Sequence, residues 1–257
     1  MPNGAASSDS GGRGGLGTVR NAVRLLELLG EGPAFQQLSD LAERSGMSLP
    51  TVHRLLRSLV IADLAVQDTQ SARYGLGPEL PRLAAHYLAR LPLLGALGPY
   101  LSPLRDELST TVHVMTLVHG EVVYVDRVDG PSSGPYRDTH RVHPALVTAG
   151  GRLLAARSDD LAWEHAVQML DLPEREAALA SRAEWAEAAW LALAPTDPTI
   201  SAEVAVPVID GRGNAVGALS ATVDSATVEA SQAEGSAAVA ASLSRAARAA
   251  GRTLSHV

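Results

Sequence analysis

The chain is 257 residues long, enough for two modest domains with a buried core in each. It has no cysteine, which excludes disulfides, thiolate nucleophiles and cysteine-based zinc fingers, and no run approaching the ~18 to 20 apolar residues of a membrane helix. The net charge of −7 is segregated: residues 18–77 hold six arginines against six acids, whereas 14 arginines face 21 acids beyond residue 77. An acidic distal part repels nucleic acid and leaves any such contact to the neutral head.

Residues 1–17, rich in Gly, Ser and Ala and without an apolar run, read as a flexible tail and not a signal peptide, as expected of a cytoplasmic protein. Thr18 caps a first helix in which Val19, Ala22, Val23, Leu26 and Leu29 recur at helical spacing, ending near Gly30 and Gly32-Pro33. Residues 38–57 then read as a helix-turn-helix. Leu38, Leu41 and Ala42 face inward from its first helix, and Leu49, Val52, Leu55, Leu56 and Leu59 from its second. Ala42 is small where two backbones must approach, and Gly46 takes the φ > 0 that closes the turn. Ser48 supplies an N-cap oxygen, and Pro50 sits in the first turn, where its missing N–H costs nothing.

The outward face of that second helix carries Ser48, Thr51, His53, Arg54, Arg57 and Ser58, hydroxyls and guanidinium forks that suit phosphates and base edges in a major groove. A surface hairpin in a larger helical domain is the alternative; Ala42, Gly46 and the apolar positions all fall where the DNA-reading motif needs them. Residues 62–66 and 73–76 are short extended segments joined by polar residues, a hairpin wing whose Gln67, Gln70 and Arg73 either reach a DNA backbone or minor groove or belong to a hairpin that merely seals the core.

Residues 78–95 read as an amphipathic linker helix with Leu80, Leu83, Ala84, Tyr87 and Leu91 on one side, an apolar stripe that a second copy of the chain would cover. The remaining part, 96–257, predicts a helix at 103–109, strands at 111–118 and 121–128, and a Gly/Pro/Ser-rich loop from 129. Helices follow at 151–157, 160–170 and 174–193, then strands at 201–209 and 215–223 joined by a turn at 210–214, and a closing helix at 226–250. Antiparallel strands with helices before, between and after them describe an α+β fold.

Five segments, in order, resemble an IclR-family transcriptional regulator: the helix-turn-helix; Tyr74-Gly75-Leu76-Gly77 before the linker helix; residues 123–130 (VYVDRVDG); residues 148–155 (TAGGRLLA); and residues 204–208 (VAVPV) with 216–220 (VGALS). The resemblance implies a winged helix-turn-helix domain (18–77), the linker helix, and a GAF-like α+β domain (96–257) that binds a small effector. It further implies double-stranded operator DNA as partner, assembly as a homodimer or dimer of dimers, and no cofactor. It points to Thr148, Ala149, Gly150, Gly151, Glu203, Ser220 and Thr222 as ligand-binding residues. The small run 149–151 would leave room for a ligand, so that Gly150→Val would abolish the response and spare the fold. Glu203 departs from the small or apolar residue usual in the family and disfavours an anionic ligand. A second departure is the shortened segment 194–199, where Asp197 is the one acid.

No catalytic constellation stands out. The segment 138–143, with Asp138, His140 and His143, has the side-chain types of a metal site, but its His-x2-His pair is loosely spaced in an extended loop with no further anchor elsewhere, and no nucleophile elbow, P-loop or dinucleotide fingerprint is present. The expectation is a non-enzymatic, DNA-binding regulator controlled by a metabolite. A DNA-binding regulator with a degenerate pocket is the alternative, and a metabolite-binding or enzymatic protein with a vestigial helix-turn-helix stands third.

Overall fold

The computed structural model describes residues 11–131, 142–194, 201–228 and 233–255, in two compact units, Met1–Ala89 and Arg90–Val257. In the first, α1 (Gly11–Gly30), α2 (Leu38–Ser45) and α3 (Leu49–Ile61) precede an antiparallel hairpin of β1 (Ala65–Gln67) and β2 (Tyr74–Leu76), and α4 (Glu79–Leu88) follows. Leu25, Leu28 and Leu29 of α1 pack on Leu41 and Ala42 of α2 and on Val52, Leu55, Leu56 and Leu59 of α3, with Ala65 and Tyr74 closing the core from the hairpin. Each leucine so buried contributes about 1.5–3 kcal/mol.

Three expectations change here. Thr18 lies inside α1 rather than at its cap. The inward stripe of α1 is rotated: Val19 and Val23 are 65% and 48% exposed, because a leucine-rich helix offers two apolar stripes and the partner helices select the bulkier one. Leu49, at the first turn of α3, is also exposed.

The glycines of the Tyr74–Gly77 segment have a steric reason. A Cβ at Gly75 would lie 2.6 Å from Ala34 O, and one at Gly77 would lie 2.1 Å from Asp63 O. Both contacts are with backbone, so no larger residue fits.

The second unit contains α5 (Pro92–Leu108), β3 (Val112–Val118), β4 (Glu121–Val128), β5 (Val142–Pro144), a 3-10 turn (Ala145–Val147), α6 (Ala149–Arg157), α7 (Asp160–Gln168) and α8 (Leu172–Glu187). It continues with β6 (Leu191–Leu193), β7 (Glu203–Ile209), β8 (Ala215–Thr222), α9 (Ser225–Val228) and α10 (Ala233–Leu254). The strands form one antiparallel sheet in the order β5-β4-β3-β8-β7-β6. Neighbouring residues of a strand face opposite sides. Gly217 accordingly abuts Leu93 of α5, while Ala218 lies close to Gly150 of α6, so the sheet separates α5 from α6; α10 packs against β7 and α5.

The single linker helix expected at 78–95 is two helices. Pro92 restricts Leu91 to an extended conformation (φ −75°, ψ 109°), which ends the run and starts α5 afresh. α5 then passes through Pro99 and Pro103, both on its exposed side, where water satisfies the carbonyls they free. Residues 191–193, expected as the end of a helix, pair instead with β7, and 142–144 pair with β4. Such three-residue stretches carry no periodicity; the open edges of the sheet decide them.

Candidate nucleic-acid interface and effector site

The turn of the helix-turn-helix is built as expected: Gly46 ends α2 with φ 68° and its N–H donates to Glu43 O. On α3, Val52, Leu55, Leu56 and Leu59 face the core, leaving His53, Arg54, Arg57 and Ser58 exposed on the opposite side. The side chains of Arg54 and Arg57 have no hydrogen-bond or ion-pair partner among the described residues. Ser48 departs from its expected role. Its backbone is extended, as a cap requires, yet its hydroxyl makes no cap bond and meets the Thr51 hydroxyl at 2.8 Å. The Ser58 hydroxyl donates back to Arg54 O at 3.1 Å, which leaves its lone pairs outward.

In the wing, Gln67 Nε2 donates to Ala72 O at 3.2 Å, so this side chain closes the turn. Arg73 stays exposed. Asp68 accepts from the Ser71 N–H at 2.8 Å and from the Ser71 hydroxyl, which holds its carboxyl below the usual range. Gln36, unnoticed in the sequence, is the central polar residue of this unit. It is buried, donates from Nε2 to Leu28 O and Glu31 O at 2.8 Å each, accepts from Arg44 Nη1 at 2.7 Å, and pairs its backbone with Tyr74. Arg44 is thereby committed to structure, since its other terminal nitrogen meets Glu31 at 2.5 Å.

Of the residues named for ligand binding, Thr148, Ala149, Gly150, Gly151 and Glu203 lie together. Thr148 caps α6, its Oγ1 accepting from Gly151 N–H at 3.0 Å, and Ala149, Gly150 and Gly151 form the first turn. From β7, Glu203 reaches that turn: its Oε1 accepts from Gly150 N–H at 3.0 Å, and only 4% of the residue is exposed. Burial pushes the Glu203 carboxyl above the usual range, against the opposing pull of the Gly150 N–H, the Ser220 hydroxyl and the Ala149 N–H. Glu203 stands opposite Thr222, and Ser220 stands between Ala205 and His113 across the sheet. Thr222 Oγ1 lies 3.2 Å from His113 Nε2, a partner the sequence did not announce, and both line a cavity of about 600 Å³.

The turn is nevertheless filled from within. The carboxylate that the α6 N-terminus attracts belongs to the chain itself. Gly151 is required by packing, since a Cβ there would lie 2.0 Å from Ala145 O, and any bulk on Gly150 must displace the Met115 side chain, whose Sδ would lie 2.4 Å from its Cβ. The expectation that Gly150→Val spares the fold is therefore corrected. Of the loosely spaced metal-type residues only His143 is described; Asp138, His140 and Asp197 lie outside the described residues.

A winged helix-turn-helix followed by an antiparallel α+β domain defines the class. Residues 18–69 match the IclR helix-turn-helix domain. Over 118 residues the chain is 32% identical to the HTH-type transcriptional regulator Rv1719 of Mycobacterium tuberculosis, covering 46% of this chain and 45% of that one; the chain spans about half the length of the curated relatives it matches. An IclR-family regulator from Brucella abortus has the same fold (TM-score 0.79, 17% identity, 98% of this chain and 99% of that one). So does an IclR homologue from Microbacterium hydrocarbonoxydans solved with 4-hydroxybenzoate (TM-score 0.63, 20% identity, 90% and 99%). Residues 18–69 thus carry an IclR helix-turn-helix domain, and the rest of the chain shares its fold with IclR-family regulators. Among the described residues no helix is long and apolar enough to cross a membrane.

Proposed function

We propose that the chain is a sequence-specific DNA-binding transcriptional regulator whose operator affinity is set by a small-molecule effector bound in residues 90–257. The observation that carries the reading is the outward face of α3, where Arg54 and Arg57 stand exposed and uncommitted on a helix whose other face is buried in the core. The relative named as a transcriptional regulator and the homologue solved with a small acidic ligand support the two halves of the reading. Sequencing DNA fragments retained by the purified protein would supply an operator. On it, Arg54→Ala should cost about 1–3 kcal/mol if Arg54 reads a guanine, and less on random DNA. Unchanged affinity in a filter-binding titration would remove Arg54 from the interface.

A regulator that acts without ligand is the second reading, favoured by the chain's own Glu203 on the α6 N-terminus. A metabolite that shifts melting temperature and operator affinity together would exclude it.

A further inference from the structure

Beyond the N–H groups that Glu203 closes, α6 carries Arg152. Its Nε donates to Leu146 O at 2.8 Å and its guanidinium lies over the Trp185 ring, 4.7 Å from the centroid. Neither terminal nitrogen has a hydrogen-bond or ion-pair partner among the described residues. The fork opens into a cavity of about 500 Å³ whose walls include Leu146, Val147, Leu170 and Leu193, within the roughly 300–1,000 Å³ of small-molecule sites. Trp185 is itself set by the edge of Trp163, 6.4 Å between centroids, and by Arg157, which donates to Trp185 O at 2.8 Å.

A half-buried cation without an anion is costly, and a planar fork held at one nitrogen and along one face is preorganised for a carboxylate. Burial lowers the Arg152 pKa, opposed by the negative charge of Glu174 at the cavity wall. Glu174 is too distant for an ion pair, and its charge disfavours a second acid group on the ligand.

We propose that this cavity is a binding site for a small monocarboxylate with an apolar body, the carboxylate on the two terminal nitrogens of Arg152 and the body against the aliphatic wall. Its role as the effector site rests on the regulator reading above.

The test uses the full-length chain without DNA, with benzoate as minimal probe and benzamide as its neutral counterpart, read by tryptophan fluorescence and calorimetry. Benzoate should bind saturably and about tenfold or more tighter than benzamide. Arg152→Gln should erase that preference. Ser181→Phe, which fills the cavity from α8 and leaves Arg152 in place, should abolish binding of both and covers the case that Arg152→Gln fails to fold. Glu203→Gln should leave benzoate affinity unchanged. Equal affinity for the two probes, or benzoate binding that survives Ser181→Phe, would overturn the site. So would a gain in benzoate affinity on Glu203→Gln, which would move the carboxylate to the α6 N-terminus. Benzoate binding that meets these expectations while operator affinity stays constant would retain the site and overturn its regulatory role; failure to retain DNA would overturn the regulator reading alone.

Discussion

A carboxylate as buried as that of Glu203 carries a cost at neutral pH that backbone N–H donors reduce without cancelling. Because its pKa in the fold lies above that of the unfolded chain, the native state binds the proton more tightly. Its contribution to stability is therefore greatest below the unfolded value and falls as pH rises through the folded one. Glu203→Gln removes this dependence, and the amide oxygen can still accept from Gly150. The melting temperature of the variant relative to wild type should be higher at pH 8 than at pH 5; a difference independent of pH would show that burial does not govern this group. The neighbouring glycines separate by what a methyl group would meet. Gly150→Ala pushes on the flexible end of Met115 and should cost about 1–3 kcal/mol. Gly151→Ala meets the Ala145 carbonyl and should cost more than about 4 kcal/mol, or prevent folding. Denaturant titration ranks the two, and equal costs would contradict the geometry.

Among the elements, α1 and the wing are joined through one amide. Gln36 satisfies carbonyls at the end of α1, holds Arg44, and shares two backbone bonds with Tyr74. Gln36→Ala strands buried acceptors and should cost about 1–3 kcal/mol, read as a lowered urea midpoint with unchanged slope; a neutral effect would mean that water replaces the amide. Periodicity made α2, α3, α6, α7 and the four long strands legible, because their apolar positions commit each to one face. It did not separate α4 from α5, where the effect of Pro92 on Leu91 overrides a continuous amphipathic pattern. Nor did it reveal β5 and β6, which exist because neighbouring strands offer unpaired backbone.

At the scale of the whole molecule, the charge is divided by unit: Met1–Ala89 is neutral, with eight arginines and eight acids, and Arg90–Val257 carries the full −7. A neutral head has little electrostatic affinity for DNA of its own, so tight binding calls for two heads. α4 buries no residue and leaves Leu83 and Tyr87 47% and 58% exposed, an apolar stripe suited to a second copy. Leu83→Glu should convert a dimer to a monomer in sedimentation and reduce operator affinity at least tenfold, with wild-type footprints covering an imperfect palindrome. A wild-type monomer protecting a single half-site would refute this arrangement.

Legible in the sequence were the helix-turn-helix, its outward arginines, the α+β order of the second unit and, through the family resemblance, Thr148 to Gly151 and Glu203 at the start of α6. These follow from local periodicity, turn chemistry and a recognisable chain of motifs. Tertiary structure alone decided what those residues do to one another. Glu203 and Gly150 are 53 positions apart, and only the packing of β7 beneath α6 shows that the carboxylate caps the helix. Arg152 and Trp185 likewise read as an unremarkable cation and one of two tryptophans near the end of an alanine-rich helix. Their stacking, and the open fork it leaves, arise from the docking of α8 on α6, a long-range contact with no local signature.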